Sequence, residues 1–158
     1  MSSLKIFACG NESRGDDALG PLLIAPLEAA GFDCVQDFQL NIEHALDLVG
    51  ASIVLFIDAS VSAPAPYQFE RLLPAEFPHY STHALPPAAV LAVYEKLQGK
   101  KSPPAFVLGV QGVAFALGTG LSDEAKQNAE QAAALLQKLV AQPTEAYWES
   151  LVTESSHA

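Results

Sequence analysis

Residues 4–30 read LKIFACGNESRGDDALGPLLIAPLEAA, and this order of apolar and polar residues predicts a strand, a turn and a helix. The run 4–8 is short, apolar and followed by a glycine-containing turn, as buried parallel strands often are. Over 17–30 the apolar residues recur at helical spacing, and Gly31 follows them as a C-terminal glycine. A buried strand that leads directly into a helix is the first half of a βαβ unit.

Further strands are expected along the chain. Buried strands are predicted at 52–57 and 105–110, where Ile, Val and Phe are frequent and each run stops at a polar residue. Apolar and polar residues alternate over 32–38 and 67–72, which is typical of half-exposed or edge strands. Together with the first strand, these segments predict a sheet of about five strands.

Helical patterns separate the strands. Helices are predicted at 86–97 and 122–140, and a shorter helical turn at 42–49. Strands that alternate with helices form right-handed βαβ units, so we expect a three-layer α/β fold. Its mostly parallel, twisted sheet would carry helices on both faces, with ligands bound beyond the carboxyl ends of the strands.

The chain length fits one domain. Its 158 residues match the usual size of a single compact unit, and we assign one α/β domain to residues 1–142. Residues 143–158 lose helical periodicity, so we expect them to form a loosely held C-terminal tail.

Charge and cysteine usage narrow the class of partner. The formal net charge is -10, which disfavours nucleic acid as a partner because such binding depends on clustered Lys and Arg. No apolar run is long enough to span a bilayer, so we expect no membrane partner. The two cysteines and the absence of a signal-peptide pattern predict a cytoplasmic protein with reduced thiols.

The turn after the first strand carries two acids, Asp16 and Asp17, where the next helix begins. A dinucleotide site would need a Gly-x-Gly-x-x-Gly spacing, and carboxylates at this point repel phosphate. We therefore expect no nucleotide cofactor. Taken alone, the two acids are also explained as a helix cap and a partner of the helix dipole.

Two more candidate residues are expected near the same sheet end. Asp58 ends the central strand, and His83 lies just before the helix predicted at 86–97. Each has a structural explanation alone, as a turn cap or a surface histidine. Together with Asp17, however, they form a mixed oxygen and nitrogen ligand set suited to Ni²⁺ or Zn²⁺.

These residues stand in a recognisable order. Gly10-Asn11 is followed by Asp16-Asp17 and Gly20, then by a strand ending in Asp58-Ala59, and then by Ser81-Thr82-His83. From about residue 5 to residue 140 the chain resembles the hydrogenase maturation endopeptidase family. Members remove a C-terminal extension from the large subunit of [NiFe] hydrogenase after nickel has been inserted.

The resemblance implies a site and a substrate. The metal ligands would be Asp17, Asp58 and His83, and the nickel would be carried by the substrate, a [NiFe] hydrogenase large-subunit precursor. Substrate contacts would come from Gly10, Asn11, Asp16 and Gln39.

Two positions depart from the family pattern. Ala18 stands where many members have Gly, and Gln39-Leu40-Asn41 replaces a turn that often contains Gly and Thr. Because this second segment borders the expected crevice, we expect it to contribute to substrate discrimination.

Other functions stay open at this point. A hydrolase could hold its own zinc, or Cys9 and His83 could form a nucleophile pair, although a structural thiol is the more common case. A non-cleaving escort could bind nickel and precursor without hydrolysis. A flavodoxin-like carrier is disfavoured because the chain has no phosphate-binding loop.

Overall fold

The structure is a computed structural model, and it describes residues 3–76 and 85–153. The described strands are β1 (Leu4–Cys9), β2 (Asp33–Asp37), β3 (Ile53–Ser60), β4 (Tyr67–Leu72) and β5 (Ala105–Gln111). The α-helices are α1 (Leu19–Ala29), α2 (Pro87–Gln98), α3 (Asp123–Ala141) and α4 (Glu145–Leu151). Short 3₁₀ helices cover Gly15–Ala18 and Ile42–Leu48.

The strands form one sheet in the order β2-β1-β3-β5-β4. All adjacent pairs are parallel except β4 with β5, which is antiparallel. The two strands with alternating sequences, β2 and β4, lie at the edges, where one strand side lacks a neighbour. The predicted mostly parallel sheet is therefore confirmed.

Helices cover both faces of the sheet, as the fold class requires. One face buries Ile6, Leu55 and Leu108 in a core shared with α1, α3 and α4. The other buries Phe7 and Phe56 against α2 and the 3₁₀ helix at 42–48. Because the central strands are covered on both sides, apolar residues follow one another along them, as over residues 53–57 of β3, rather than alternating with polar ones.

The predicted helices are present with small shifts at their ends. Helix α3 begins at Asp123, and the side chain of Ser122 accepts a hydrogen bond from the Ala125 amide as its N-terminal cap. The helix predicted from residue 17 starts instead as the 3₁₀ turn Gly15–Ala18 and becomes α-helical at Leu19. No helix within the described ranges has the length and apolarity required to cross a membrane.

The structure corrects the expectation of a loosely held tail. Residues 145–151 form α4, and the side chain of Trp148 is completely buried. Its ring packs edge-on against Phe106, with centroids 5.3 Å apart, and its Nε1 donates to the Leu139 carbonyl oxygen at 3.0 Å. A buried aromatic residue with a satisfied N–H helps to dock a helix that is too short to show periodicity. Residues 154–158 lie outside the described part.

Candidate functional site

A cavity of about 460 Å³, here called the crevice, opens at the carboxyl ends of β1 and β3. It is lined by Cys9, Gly10, Asp17, Phe38, Gln39, Leu40, Phe56, Ile57, Asp58, Leu85, Pro86 and Pro87. The structure thus brings together two predicted ligands and two predicted substrate contacts. A third predicted contact, Asn11, lines a neighbouring cavity of about 470 Å³ that shares Gly10 and Phe38 with the first.

The turn after β1 brings Asp17 to this cavity. Gly10 has φ +149°, and a Cβ atom there would lie 2.0 Å from the Asp17 carbonyl oxygen. Only glycine therefore lets the backbone of the helix start pack so closely on the end of the strand. The Gly10 amide also donates to the Asp37 carbonyl oxygen at 3.2 Å, which joins the turn to the end of β2.

Asp17 and Asp58 each use one carboxylate oxygen in a hydrogen bond. Oδ2 of Asp17 accepts a hydrogen bond from the Asn11 amide at 2.8 Å, and Oδ1 of Asp58 accepts one from the Ala59 amide at 2.9 Å. Within the described part of the chain, the other oxygen of each carboxylate has no hydrogen-bond partner. Two half-buried carboxylates that line one cavity in this way are suited to a divalent cation.

Asp58 ionises less readily in this cavity than an ordinary aspartate does. Burial raises the pKa of Asp58 to about 6, the Ala59 amide opposes this shift, and the charge of Asp17 adds to it. A negative charge on Asp58 beside Asp17 is therefore unfavourable unless a cation accompanies it.

The surroundings of Cys9 also disfavour the ionised form of its thiol. Burial, followed by the charges of Asp58, Asp37 and Asp17, raises the pKa of its thiol to about 12. The thiol is therefore protonated at neutral pH, whereas a nucleophilic cysteine needs a lowered pKa. This disfavours the pairing of Cys9 with His83 as a cysteine hydrolase.

The predicted third ligand, His83, lies outside the described residues. Within the described ranges, no group of three His, Cys, Asp or Glu side chains is placed to hold a metal ion. Leu85 and Pro86, which follow His83 closely in the chain, do line the cavity. The assignment of His83 as a ligand therefore stays a prediction.

His44 is the histidine that the described part contains, and it is already engaged. Its Nδ1 accepts a hydrogen bond from the Asn41 amide at 2.9 Å, and its Nε2 lies 3.5 Å from Oδ2 of Asp37. The side chain is buried and does not line the cavity. His44 thus holds the segment after β2 in place and is a poor substitute for His83.

Asp16 has a role that the sequence analysis missed. Its side chain is buried, and Oδ2 accepts hydrogen bonds from the amides of Val113 and Ala114 at 2.7 and 3.0 Å. Both oxygens also bind Ser122, Oδ1 its amide at 2.8 Å and Oδ2 its hydroxyl at 2.7 Å. Burial alone would raise the pKa of Asp16, but these hydrogen bonds lower it. The substrate contact expected for Asp16 stays a prediction, whereas its tie to the loop between β5 and α3 is seen directly.

The fold and this crevice define a three-layer α/β protein with two carboxylates at the carboxyl end of its sheet. This is the fold of hydrogenase maturation proteases. The [NiFe] hydrogenase maturation protease HycI from Thermococcus kodakarensis KOD1 is 22% identical, with a TM-score of 0.67 over 89% of this chain and 94% of its own. The hydrogenase maturating endopeptidase HybD from E. coli is 21% identical, with a TM-score of 0.68 over 89% of this chain and 93% of its own.

These comparisons confirm at the level of the fold the resemblance inferred from the residues. At such identities a similarity of structure establishes the fold, and function needs its own argument. No protein-family model matches the chain, and a search of curated proteins found no match.

Proposed function

We propose that the protein is an endopeptidase that removes the C-terminal extension of a [NiFe] hydrogenase large-subunit precursor after nickel insertion. The observation that carries this proposal is the pair Asp17 and Asp58, which line one cavity and each keep one carboxylate oxygen without a partner in the described chain. The fold, shared with hydrogenase maturation proteases, supports it.

In the proposed reaction the nickel is part of the substrate. Asp17 and Asp58 supply anionic oxygens and His83 a neutral imidazole nitrogen to the ion that the precursor carries. A divalent ion held there polarises a carbonyl and lowers the pKa of a bound water, so hydrolysis needs no Ser or Cys nucleophile. The protonated thiol of Cys9 is consistent with such chemistry.

Nickel then acts as the checkpoint for cleavage. Without the precursor the protein offers carboxylates and an imidazole but no Lewis acid, so it should leave casein and short synthetic peptides intact. The proposal includes a cytoplasmic location, where the free thiols of Cys9 and Cys34 would stay reduced.

The test compares nickel-loaded with nickel-free precursor, each incubated with the purified protein and analysed by mass spectrometry. We expect a shortened subunit and a released peptide from the nickel-loaded form alone. Asp17→Asn, Asp58→Asn and His83→Ala should abolish this cleavage. Glu130→Gln, on the exposed surface of α3, is the matched control and should cleave like the parent protein.

The outcomes separate the alternatives. Equal cleavage of both precursors would favour a hydrolase with its own bound zinc. Stable binding of the nickel-loaded precursor without a shortened product would identify a non-cleaving escort. Unchanged cleavage by Asp58→Asn would show that the crevice described above is not the site.

A further inference from the structure

A second, smaller cavity of about 220 Å³ adjoins the crevice on the side of β4. Its lining includes Asp58, Ser60, Gln68, Glu70, Val107 and Gly109. Asp58 lines both cavities, so this second space, here called the β4 notch, lies directly beside one of the proposed ion ligands.

The strand register explains why the notch exists. Gly109 of β5 pairs with Asp58 of β3 on one side and with Gln68 of β4 on the other. Directly paired residues present their side chains to the same face of a sheet. Because Gly109 has no side chain, a gap is left between those of Asp58 and Gln68. A Cβ atom on Gly109 would have its nearest neighbour, Cβ of Ser60, at 3.5 Å, so the gap is open.

The walls of the notch have unused polar groups. Gln68 and Glu70 are half-buried, and within the described residues neither side chain makes a hydrogen bond or an ion pair. The next residue, Arg71, contrasts with them, because it points to the other face of the sheet and pairs with Glu145 and Glu149 on α4 at 2.7 and 2.8 Å. A half-buried carboxylate without a partner favours a cationic ligand.

Size limits what this ligand can be. At about 220 Å³ the notch is smaller than a pocket for a drug-sized molecule, and it suits a single long side chain. We propose that the β4 notch is a specificity subsite that binds one Lys or Arg side chain of the substrate polypeptide close to the scissile bond. This inference rests on the proposed function, since it assumes that a polypeptide crosses the crevice at Asp58.

A first experiment tests the notch without any precursor. Gly109→Cys places a thiol at its floor, and two methanethiosulfonate reagents of similar size, one a trimethylammonium cation and one a sulfonate anion, measure access and local charge. After each rate is divided by the rate of the same reagent with a small free thiol, we expect the cation to react faster by about tenfold, and Glu70→Gln in the same background to remove most of that preference. The parent protein, with Gly109 intact, gives the background from Cys9 and Cys34.

A second experiment tests specificity on the nickel-loaded precursor. Glu70→Lys should lower kcat/KM by about tenfold through like-charge repulsion. The series consists of precursors in which each Lys or Arg near the cleavage point is replaced by Glu, one at a time. We expect one of these precursors to be cleaved poorly by the parent protein and well by Glu70→Lys. Glu130→Lys, the same charge change on the opposite face of the sheet, is the control and should cleave every precursor of the series as the parent protein does.

The two experiments keep the subsite and the proposed function apart. If the parent protein cleaves the precursor but Glu70→Lys and the isosteric Glu70→Gln handle the whole series as the parent does, the subsite is wrong. If the parent protein does not cleave at all, the proposed function fails. The ratio of the two reagent rates at Gly109→Cys then tests by itself whether the notch prefers a cation. Equal rates for the two reagents, each normalised to its rate with a small free thiol, would then overturn the preference of the notch for a cation.

Discussion

At the level of single residues, Asp58 shows how the proposed ligand role of a carboxylate opposes the stability of the fold. Its carboxylate is half-buried beside Asp17 and receives one hydrogen bond, from the Ala59 amide. Burial raises its pKa to about 6, whereas an unfolded chain ionises an aspartate near 3.9. The folded protein therefore ionises this group less readily than the unfolded chain does. Its contribution to stability is present below about pH 4 and is lost as the pH rises through about 6.

The substitution Asp58→Asn should therefore raise the free energy of unfolding at about pH 8 by on the order of 2 kcal/mol, while abolishing processing. At about pH 4 the two proteins should differ little, because both side chains are then neutral. Denaturant unfolding at the two pH values measures this, with Glu130→Gln as a surface control. Equal stability at about pH 8 would show that Asp58 is better solvated than its surroundings indicate.

At the level of elements, Asp16 joins the start of α1 to the loop between β5 and α3. The loop contributes the amides of Val113 and Ala114 and both donors of Ser122, the residue that also caps α3. One buried carboxylate thus fixes the loop and the cap of α3 against the turn that carries Asp17. Its lowered pKa means that this stabilisation is present above the ordinary aspartate pKa and is lost as the pH falls.

Asp16→Asn tests this joint. An amide of the same shape cannot accept hydrogen bonds on both sides, so one N–H donor is left facing an NH₂ group. We expect a loss of about 2 to 3 kcal/mol in the free energy of unfolding at neutral pH, shrinking in acid as the parent carboxylate protonates. The neighbouring Asp17→Asn, which affects one hydrogen bond, should lose much less. A similar loss in both variants would assign the effect to charge at the helix start.

At the level of the whole molecule, α4 closes the sheet face on the side of β4. Trp148 packs against Phe69 and Phe106, and Arg71 lies over the Phe106 ring at 5.2 Å while it pairs with two glutamates of α4. Beyond α4, Thr153 exchanges hydrogen bonds with the backbone of Phe69, its amide at 2.8 Å and its hydroxyl at 3.0 Å. The C-terminal segment therefore satisfies the backbone of Phe69 on the outer edge of β4, where an unpaired strand would invite association.

Trp148→Ala should consequently lower the free energy of unfolding by about 3 to 5 kcal/mol. For a chain of this size, that corresponds to a fall in Tm of about 10 °C. Truncation after Gln142 should have an effect at least as large, and Ala146→Ser on the exposed side of α4 serves as the control. A truncated chain that melts with the parent protein would restore the view of a loosely held tail.

The sequence by itself determined the strands, the main helices and the layer order, because their patterns are local. Continuous apolar runs mark strands covered on both faces, alternating ones mark β2 and β4 at the edges, and helical spacing marks α1, α2 and α3. The meeting of Asp17 and Asp58 in one cavity followed from the same patterns, since acids placed after parallel strands lie at one edge of the sheet.

Only the tertiary structure decided the features that depend on distant partners. Asp16 meets Ser122 across 106 positions of sequence, and nothing local distinguishes it from a helix cap. Helix α4 is short and is held by the buried Trp148 and by the pairing of Arg71 with two of its glutamates, so its docking has no periodic signal. The β4 notch arises because Gly109 falls in register between Asp58 and Gln68. A glycine in a strand becomes a gap beside a carboxylate only when the pairing of three strands places it there.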